Sequence, residues 1–363
     1  MENIVILSVG LKSGHRGSIE YSLQELKSLV RTAGGKVSET FYQMRDKYVP
    51  ATLIGKGKLN RIKEELSDKK VDLIVFDNQL SPTQLRNIEK ALDCRVIDRI
   101  QLILDIFALH ATTREGKLQV ELAQLQYMLP RIRGLGMEMS RLGGGIGTRG
   151  PGETKLEVKR RKIRQRITRL KKDLEKVEKQ RQVQRKRRMD NPIPIVSVIG
   201  YTNSGKSTLL KNLSNDKKIK VRDELFATLS PVSREVYLKH SRKAIFNDTV
   251  GFIKNLPHTI VESFKATLEE ILFSDLIVHL VDVSDPNRDD KKRESEKVLK
   301  EINADEIQRI VVFNKIDLLD ENRLETLKQA HPEAVFVSAE SKEGFEKLRD
   351  RVYDSVFLRT CSL

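Results

Sequence analysis

The sequence predicts an α/β protein in three parts: an N-terminal α/β domain with a parallel sheet, an antiparallel, coiled-coil-like helical hairpin, and a second α/β domain. Three observations support this prediction. Short apolar runs alternate with segments of helical spacing up to about residue 113, two leucine-rich seams flank a glycine-rich joint, and apolar runs resume after Ile193. Such alternation is typical of parallel sheets covered by helices. We expect domains at 1–113, 114–190 and 191–363.

Composition narrows the class of protein. The chain has 363 residues, a formal net charge of +16 and 39% apolar residues, enough for several buried cores. Its two cysteines, Cys94 and Cys361, can form neither a disulfide framework nor a zinc site of their own, which favours a reducing compartment. No stretch approaches the ~20 apolar residues of a membrane span, and no secretory signal is evident. We therefore expect a cytoplasmic protein.

The first domain alternates strands and helices. Apolar runs at 4–9, 71–76 and 95–97 predict buried strands, and the segments 21–30, 59–66 and 85–92 have helical spacing. The sequence Gly55-Lys56-Gly57-Lys58 opens one of the helices. It could bind phosphate at the helix N-terminus, or it could be a strand-to-helix turn with two solvated lysines.

Two heptad-like seams predict the helical hairpin. Their apolar residues follow steps of mostly three and four, and the joint between them, at about 134–152, contains too much glycine, with a proline, to be helical. The seams comprise Leu118, Leu122, Leu125, Leu129 and Ile132, and then Leu156, Ile163, Ile167, Leu170, Leu174 and Val177.

Most of the positive charge lies in the second helix of this hairpin. The segment 153–188 has 17 basic and 5 acidic residues, a net charge of +12, whereas the segment 193–363 has 27 against 28. A charge run is often only a solvated face. Here the imbalance is too large for pairing within the helix, so a polyanionic partner is equally consistent with it.

A phosphate-binding loop opens the last domain. The apolar run 195–199 leads into Gly200-Tyr201-Thr202-Asn203-Ser204-Gly205-Lys206-Ser207, which matches G-x-x-x-x-G-K-[ST]. Glycines let backbone N–H groups approach phosphates, and the following helix adds its positive end. In such a loop Lys206 reaches the β- and γ-phosphates and Ser207 ligates Mg²⁺.

A second motif, Asp248-Thr249-Val250-Gly251, also follows a short apolar run. Asp248 could hold Mg²⁺ through water, and the Gly251 amide could sense the γ-phosphate. Ras-like enzymes have a glutamine after this motif, which orients the attacking water, but this chain has Phe252. We therefore expect slow intrinsic hydrolysis, with the missing group supplied from elsewhere. His258 is a weak candidate for that group, since a lone loop histidine is more often incidental.

Two more motifs predict recognition of a guanine base. Asp317, in Asn314-Lys315-Ile316-Asp317, can accept hydrogen bonds from guanine N1–H and its 2-amino group, which adenine lacks. Ser338-Ala339-Glu340 fits a loop that contacts the base through a backbone amide. The four motifs, in this order, predict a Ras-like GTP-binding domain. Its expected nucleotide contacts also include Thr208.

This set resembles the translation-factor-related GTPases of the Obg/HflX-like branch. The resemblance implies a Mg²⁺-sensing threonine in the loop containing Phe226 and Thr228, with Thr228 the candidate ligand and Ser233 the fallback. Three further stretches are similar to the HflX family of ribosome-associated GTPases. They are the segments 104–108, 115–125 and 144–154. One departure from the family is that Ser230-Pro231-Val232 follows Leu229, where many bacterial members have Asp-Pro-Thr.

The HflX resemblance implies binding to the large ribosomal subunit in the GTP state, separation of stalled or idle ribosomes, and ribosome-stimulated hydrolysis, with some ATP hydrolysis in certain members. We expect ribosomal RNA rather than DNA as the partner, and a monomer. Two alternatives stay open: a GTPase of large-subunit assembly, and an RNA-binding scaffold with little hydrolysis. The candidate RNA contacts are Arg149, Arg160, Arg161, Lys162, Arg164, Arg166 and Arg169.

Overall fold

The structure is a computed structural model that describes residues 2–13, 16–132, 151–188, 193–214, 226, 232–253 and 268–358. The chain divides into two compact units. The N-terminal unit comprises Met1–Leu109 and Lys117–Glu175, and the C-terminal unit comprises His110–Gly116 and Lys176–Leu363. Each contains a mixture of helices and a mainly parallel sheet, as the predicted fold class requires.

The sheet of the N-terminal unit has four parallel strands in the order β2-β1-β3-β4. Every residue of β3 is buried, and so are the seven central residues of β1, which is why both appear in the sequence as apolar runs. The strands are β1 (Asn3–Leu11), β2 (Lys36–Arg45), β3 (Leu73–Phe76) and β4 (Val96–Asp98).

Four helices follow the strands of this sheet or precede the next. The α3 helix shows how a local signal sets a boundary: Ser81 and Gln84 form a capping box, and proline occupies the first turn. The helices are α1 (Arg16–Thr32), α2 (Lys56–Leu66), α3 (Pro82–Leu92) and α4 (Arg99–His110).

The strand β2 is absent from the strands predicted above. It lies at the edge of the sheet, and most of its side chains are partly or fully exposed. A half-polar edge strand has no continuous apolar run, so the pattern that revealed β1 and β3 does not reveal it.

A buried ionic network joins α1, the residue that follows β3, and α4. The Arg99 guanidinium forms ion pairs with Asp77, at 2.9 Å, and with Glu25, and all three side chains are less than a tenth exposed. Ser22 Oγ donates to Asp77 at 2.6 Å. Burial opposes the charge on Arg99, but the two carboxylates raise its pKa overall. Removing any one of these three charged side chains should destabilise the fold, because the remaining charges would be buried without a partner.

Two long helices follow, α5 (Arg114–Met128) and α6 (Pro151–Arg188). The carboxylate of Glu121 on α5 accepts two hydrogen bonds from Arg166 on α6, at 2.6 and 2.7 Å. Among the α6 side chains whose burial the structure describes, the seam residues Ile163, Ile167, Leu174 and Val177 are partly buried and Leu170 is fully buried. In α5 some residues outside the predicted seam, such as Gln119 and Ala123, are also buried, so the packed face of this helix is wider than the seam.

The C-terminal unit has a six-stranded sheet in the order β10-β9-β8-β5-β7-β6, in which only β6 is antiparallel to its neighbour. Parallel strands end at the same edge of a sheet, so the loops after β5, β7, β9 and β10 meet there. The strands are β5 (Ile195–Gly200), β6 (Val232–Tyr237), β7 (Lys243–Asp248), β8 (Leu276–Asp282), β9 (Arg309–Asn314) and β10 (Val335–Phe336).

The helices of this unit are α7 (Lys206–Ser214), α8 (Arg288–Glu301), α9 (Glu321–Ala330) and α10 (Phe345–Tyr353). Short 3₁₀ turns at Lys239–Ser241, Glu269–Phe273 and Ile316–Leu318, and a π-turn at Asp354–Leu358, complete the described part of the unit. Within the described residues of the whole chain, no helix combines the length and apolarity that a membrane crossing requires.

Candidate nucleotide-binding site

The loop between β5 and α7 has the conformation that its glycines permit. Gly205 has a φ of +92°, and a Cβ at this position would lie 2.3 Å from Asn314 Nδ2. A Cβ on Gly200 would lie 2.3 Å from the carbonyl oxygen of Leu280. Both positions therefore exclude a side chain, and α7 starts directly after the second glycine, at Lys206.

Lys206 is buried, and its ammonium group donates to the carbonyl oxygens of Gly200, at 3.1 Å, and Tyr201, at 2.8 Å. Burial lowers its pKa to about 8, and the nearby Asp248 carboxylate only partly offsets this effect. The loop thus encloses one cation that lacks a charged partner in direct contact among the described residues, a setting suited to a phosphate group.

Asp248, at the end of β7, lies beside the start of α7. Its carboxylate is buried, and the Ser207 hydroxyl donates to Oδ2 at 2.8 Å. A hydroxyl and a carboxylate are the hard oxygen ligands that Mg²⁺ prefers, so this pair fits that ion.

The segment that follows Asp248 is bound to the phosphate loop by its backbone. The Phe252 N–H donates to the Gly200 carbonyl at 3.1 Å, and the Thr202 N–H donates to the Phe252 carbonyl at 2.8 Å. A Cβ on Gly251 would lie 2.9 Å from Thr202 Cγ2 and 3.1 Å from Lys206 Nζ. The Phe252 side chain is only 2% exposed. Gly251 and Phe252 therefore lie directly against the loop expected to hold phosphate.

Asn314 connects three of the loops. Its Nδ2 donates to the Ser204 carbonyl, and its Oδ1 accepts from the Ala339 N–H, both at 2.8 Å. Asn212 of α7 adds a bond to the Ala339 carbonyl at 2.7 Å. Asp317 lies in the 3₁₀ turn that follows, with its side chain exposed, and Glu340 is exposed as well. The predicted base-binding residues are thus gathered at the carboxyl edge of the sheet, beside the phosphate loop.

Four family models match successive parts of the chain. They are described as GTP-binding GTPase N-terminal (20–108), GTP-binding GTPase Middle Region (110–188), 50S ribosome-binding GTPase (195–315) and C-terminal region of MMR_HSR1 domain (292–358). Among curated proteins, the GTPase HflX of Caldanaerobacter subterraneus subsp. tengcongensis is 48% identical over 341 residues, covering 94% of this chain and 78% of that protein. The chain belongs to the HflX family of GTPases.

Other relatives agree with this assignment. The GTPase HflX of Escherichia coli is 42% identical over 347 residues, which cover 94% of this chain and 81% of that protein. A crystal structure of a GTP-binding protein from Sulfolobus solfataricus, in complex with GDP, is 26% identical, with a TM-score of 0.52 over 98% of this chain and 99% of that one. The HflX-family chain described here is thus a GTP-hydrolysing enzyme.

Three predicted site residues lie outside the described residues: Thr228, His258 and Arg149. Phe226 is described and buried, with a φ of +60°. Ser233, the fallback for the Mg²⁺-sensing threonine, lies within β6, where its hydroxyl donates to Asn247 Oδ1 at 2.7 Å. Its hydroxyl therefore already has a partner within the sheet.

The candidate RNA contacts that the structure describes all lie on α6. Arg161, Lys162, Arg164 and Arg169 are exposed, and Arg160 is half-buried. Arg166 differs from the others because it is bound to Glu121, which also raises its pKa.

One residue beside the candidate nucleotide site was not predicted from the sequence. Asp282, at the end of β8, forms an ion pair with Lys315 at 2.6 Å. The available signal was similar to the one that revealed Asp248, namely an aspartate directly after a buried strand, here 276–281, which is apolar except for His279. Its partner could not be read from the sequence, because the pairing depends on the order of the strands.

Proposed function

We propose that this HflX-family GTPase binds the large ribosomal subunit in its GTP state, acts in ribosome dissociation, rescue or recycling, and leaves after hydrolysis. The observation that carries the proposal is the exposed row of cations on α6, in a chain whose residues 195–315 match a family described as 50S ribosome-binding GTPase. A ribosomal partner also implies a cytoplasmic location.

The nucleotide would bind along the loop Gly200–Ser207, with Thr208, Phe226 and Gly251 close to it. Lys206 would contact the β- and γ-phosphates. Ser207 would ligate Mg²⁺, with Asp248 acting through water and Thr228 as a further ligand. When bound, the ion neutralises charge that develops on the phosphates during hydrolysis.

Base selection would rest on Asp317, whose exposed carboxylate can pair with guanine N1–H and the 2-amino group. Asn314, Ser338, Ala339 and Glu340 would complete the base pocket, since Asn314 already bridges the phosphate loop and the Ala339 amide. The same carboxylate faces no matching donors on adenine, so ATP would bind more weakly rather than be excluded.

Hydrolysis without a partner would be slow. Phe252 occupies the position of the usual glutamine, and its buried apolar side chain cannot orient water. Because Gly251 and Phe252 contact Thr202 and Lys206, a change at the γ-phosphate would be passed to the segment after Phe252. Contact with the ribosome could then supply the missing positioning group.

The exposed basic residues of α6 would bind the RNA. Replacing Arg161, Lys162, Arg164 and Arg169 with alanine should weaken binding to purified large subunits at least about tenfold and reduce the salt dependence, because each lost phosphate contact lowers the slope by about one. The affinity for GTP should not change. A matched control replaces four exposed cations of α8 and α9, namely Lys297, Lys300, Arg323 and Lys328.

The deciding experiment is co-sedimentation with large subunits in the presence of a non-hydrolysable GTP analogue or GDP, at two salt concentrations, together with single-turnover hydrolysis with and without ribosomes. Binding that depends on neither nucleotide nor salt would contradict the proposal. Hydrolysis that ribosomes do not stimulate would favour an RNA-binding scaffold. Accumulation of subunit precursors in cells lacking the protein would favour a role in assembly.

A further inference from the structure

We propose that Asp282 is a positioning residue for guanine-nucleotide binding, which holds Lys315 in place before the nucleotide arrives. The inference rests on the proposed placement of the base beside Asp317, but not on ribosome binding. It begins with the ion pair between Asp282 Oδ2 and Lys315 Nζ, at 2.6 Å, in which the side chains are 15% and 26% exposed.

Both oxygens of the Asp282 carboxylate are engaged. Oδ1 accepts from the Ser284 N–H at 3.0 Å and from the Ser284 hydroxyl at 2.6 Å, while Oδ2 faces Lys315. Two bonds from one residue prevent the carboxylate from rotating away. The anion is therefore a fixed point to which the ammonium group is drawn.

The position of Asp282 in the sheet places its carboxylate between the phosphate loop, which follows β5, and the loop with Asn314 and Asp317, which follows β9. On one side, β8 pairs with β5, with Leu280 opposite Gly200 at the start of the phosphate loop. On the other side, β8 pairs with β9, with Asp282 opposite Asn314. From this position the Asp282 carboxylate contacts Lys315, in the loop expected to bind the base, and lies on the strand next to the one that leads into the phosphate loop.

The backbone conformation of Lys315 and the flexibility of its side chain explain why it needs such an anchor. Its backbone is in the left-handed region, with a φ of +68°, so the chain reverses sharply between Asn314 and the turn that carries Asp317. Its side chain has four rotatable methylene groups, and ordering them on binding would oppose affinity. An ion pair that orders the side chain beforehand removes that cost from the binding step.

The test compares GDP dissociation in Asp282→Asn, Lys315→Ala and the double variant. Asparagine keeps the bonds to Ser284 but presents no anion to Lys315. We expect Asp282→Asn to raise the Kd for GDP about three- to tenfold through faster dissociation, a range set by ordering one flexible side chain. The KM for GTP should rise with the Kd for GDP, because the defect lies in binding rather than in the chemical step. In the Lys315→Ala background, Asp282→Asn should have no further effect.

A matched control is Asp275→Asn, which removes the same charge just before the other end of β8, where Asp275 accepts from the Ile195 N–H at 2.7 Å. It should leave the Kd for GDP unchanged. If Asp282→Asn lowers the melting temperature and kcat and acts equally in the Lys315→Ala background, the ion pair is merely structural and the inference is wrong. If Lys315→Ala alone leaves GDP binding intact, the proposed base site is wrong as well. Neither result depends on ribosome binding.

Discussion

If Lys206 binds the phosphates as proposed, its buried ammonium group should make nucleotide affinity depend on pH. Its pKa is lowered to about 8 by burial, and bound phosphates would raise it again, so binding above pH 8 must take up a proton. Affinity should then fall as pH rises through 8, and the Kd for GDP should increase about tenfold between pH 7 and pH 9. Fluorescence titration across this range measures the effect.

The control for this prediction is Lys206→Arg, which stays charged at every pH in the range. Ionisation of the guanine base would weaken binding in both proteins, so only the excess effect in the wild type reports on Lys206. Parallel pH profiles for the two proteins would show that the lysine is charged throughout.

His279 affects the stability of the folded protein rather than nucleotide affinity, and its effect makes the protein less stable in acid. Burial within β8, together with nearby cations that include Lys292 and Arg309, lowers its pKa to about 3, so it stays neutral in the folded protein. The unfolded chain takes up a proton below pH 6.5, and the stabilising effect of the neutral histidine is therefore lost as pH falls from 6.5 towards 3.

The expected loss is about 2 kcal/mol between pH 7 and pH 5 for the unit that contains β8. His279→Leu should remove this dependence, as measured by urea unfolding at the two pH values. His331, which is half-buried on the same sheet's flank, serves as the control position. An equally steep acid profile in the His279→Leu protein would contradict the assignment.

At the scale of elements, the segment after β7 is joined to the phosphate loop by backbone hydrogen bonds, and this determines what its side chains can do. Phe252 faces inward and is almost fully buried. Restoring the usual residue with Phe252→Gln should therefore not accelerate hydrolysis in the absence of ribosomes. It should instead destabilise the unit by about 2 kcal/mol, through the lost burial of the ring.

Single-turnover hydrolysis measures this prediction, with Phe252→Leu as the control that keeps an apolar side chain. A tenfold gain in the intrinsic rate of Phe252→Gln would mean that the side chain reaches the nucleotide and that the segment is arranged differently.

The elements also show how far sequence reasoning extends. The loops with Lys206, Asp248 and Asn314 could be predicted because each follows a buried strand that appears as an apolar run. The edge strand β2 could not, since six of its ten residues are polar or charged. The pairing of Asp282 with Lys315 could not either, because it depends on β8 lying beside β9, which no local pattern specifies.

For the whole molecule, the two units have separate apolar cores and should respond to different perturbations. Arg99→Met would leave Glu25 and Asp77 buried without a cation, and should destabilise the N-terminal unit by about 3–5 kcal/mol. GDP at a hundred times its Kd should stabilise the C-terminal unit by about 2.7 kcal/mol.

Hydrogen exchange measures both effects, since amides of β1, β3 and β4 report on the first unit and those of β5, β8 and β9 on the second. The control is Arg61→Met, which removes an exposed ion pair with Glu65 worth at most about 1 kcal/mol. If GDP fully restored protection in the strands of Arg99→Met, the two units would not respond separately.

The position of β2 at the edge of its sheet affects how the molecule behaves at high concentration. Within the described residues, no strand pairs with the outer side of β2, so the outward-facing N–H and C=O groups of this ten-residue strand offer a template for a second chain. Lys36 and Glu39 place charges along this strand and oppose such aggregation. Replacing both with valine should produce soluble oligomers detectable by light scattering, while the same change at the exposed helical pair Lys328 and Glu325 should not. The charges on β2 would thus contribute to the colloidal stability of the protein in concentrated solution.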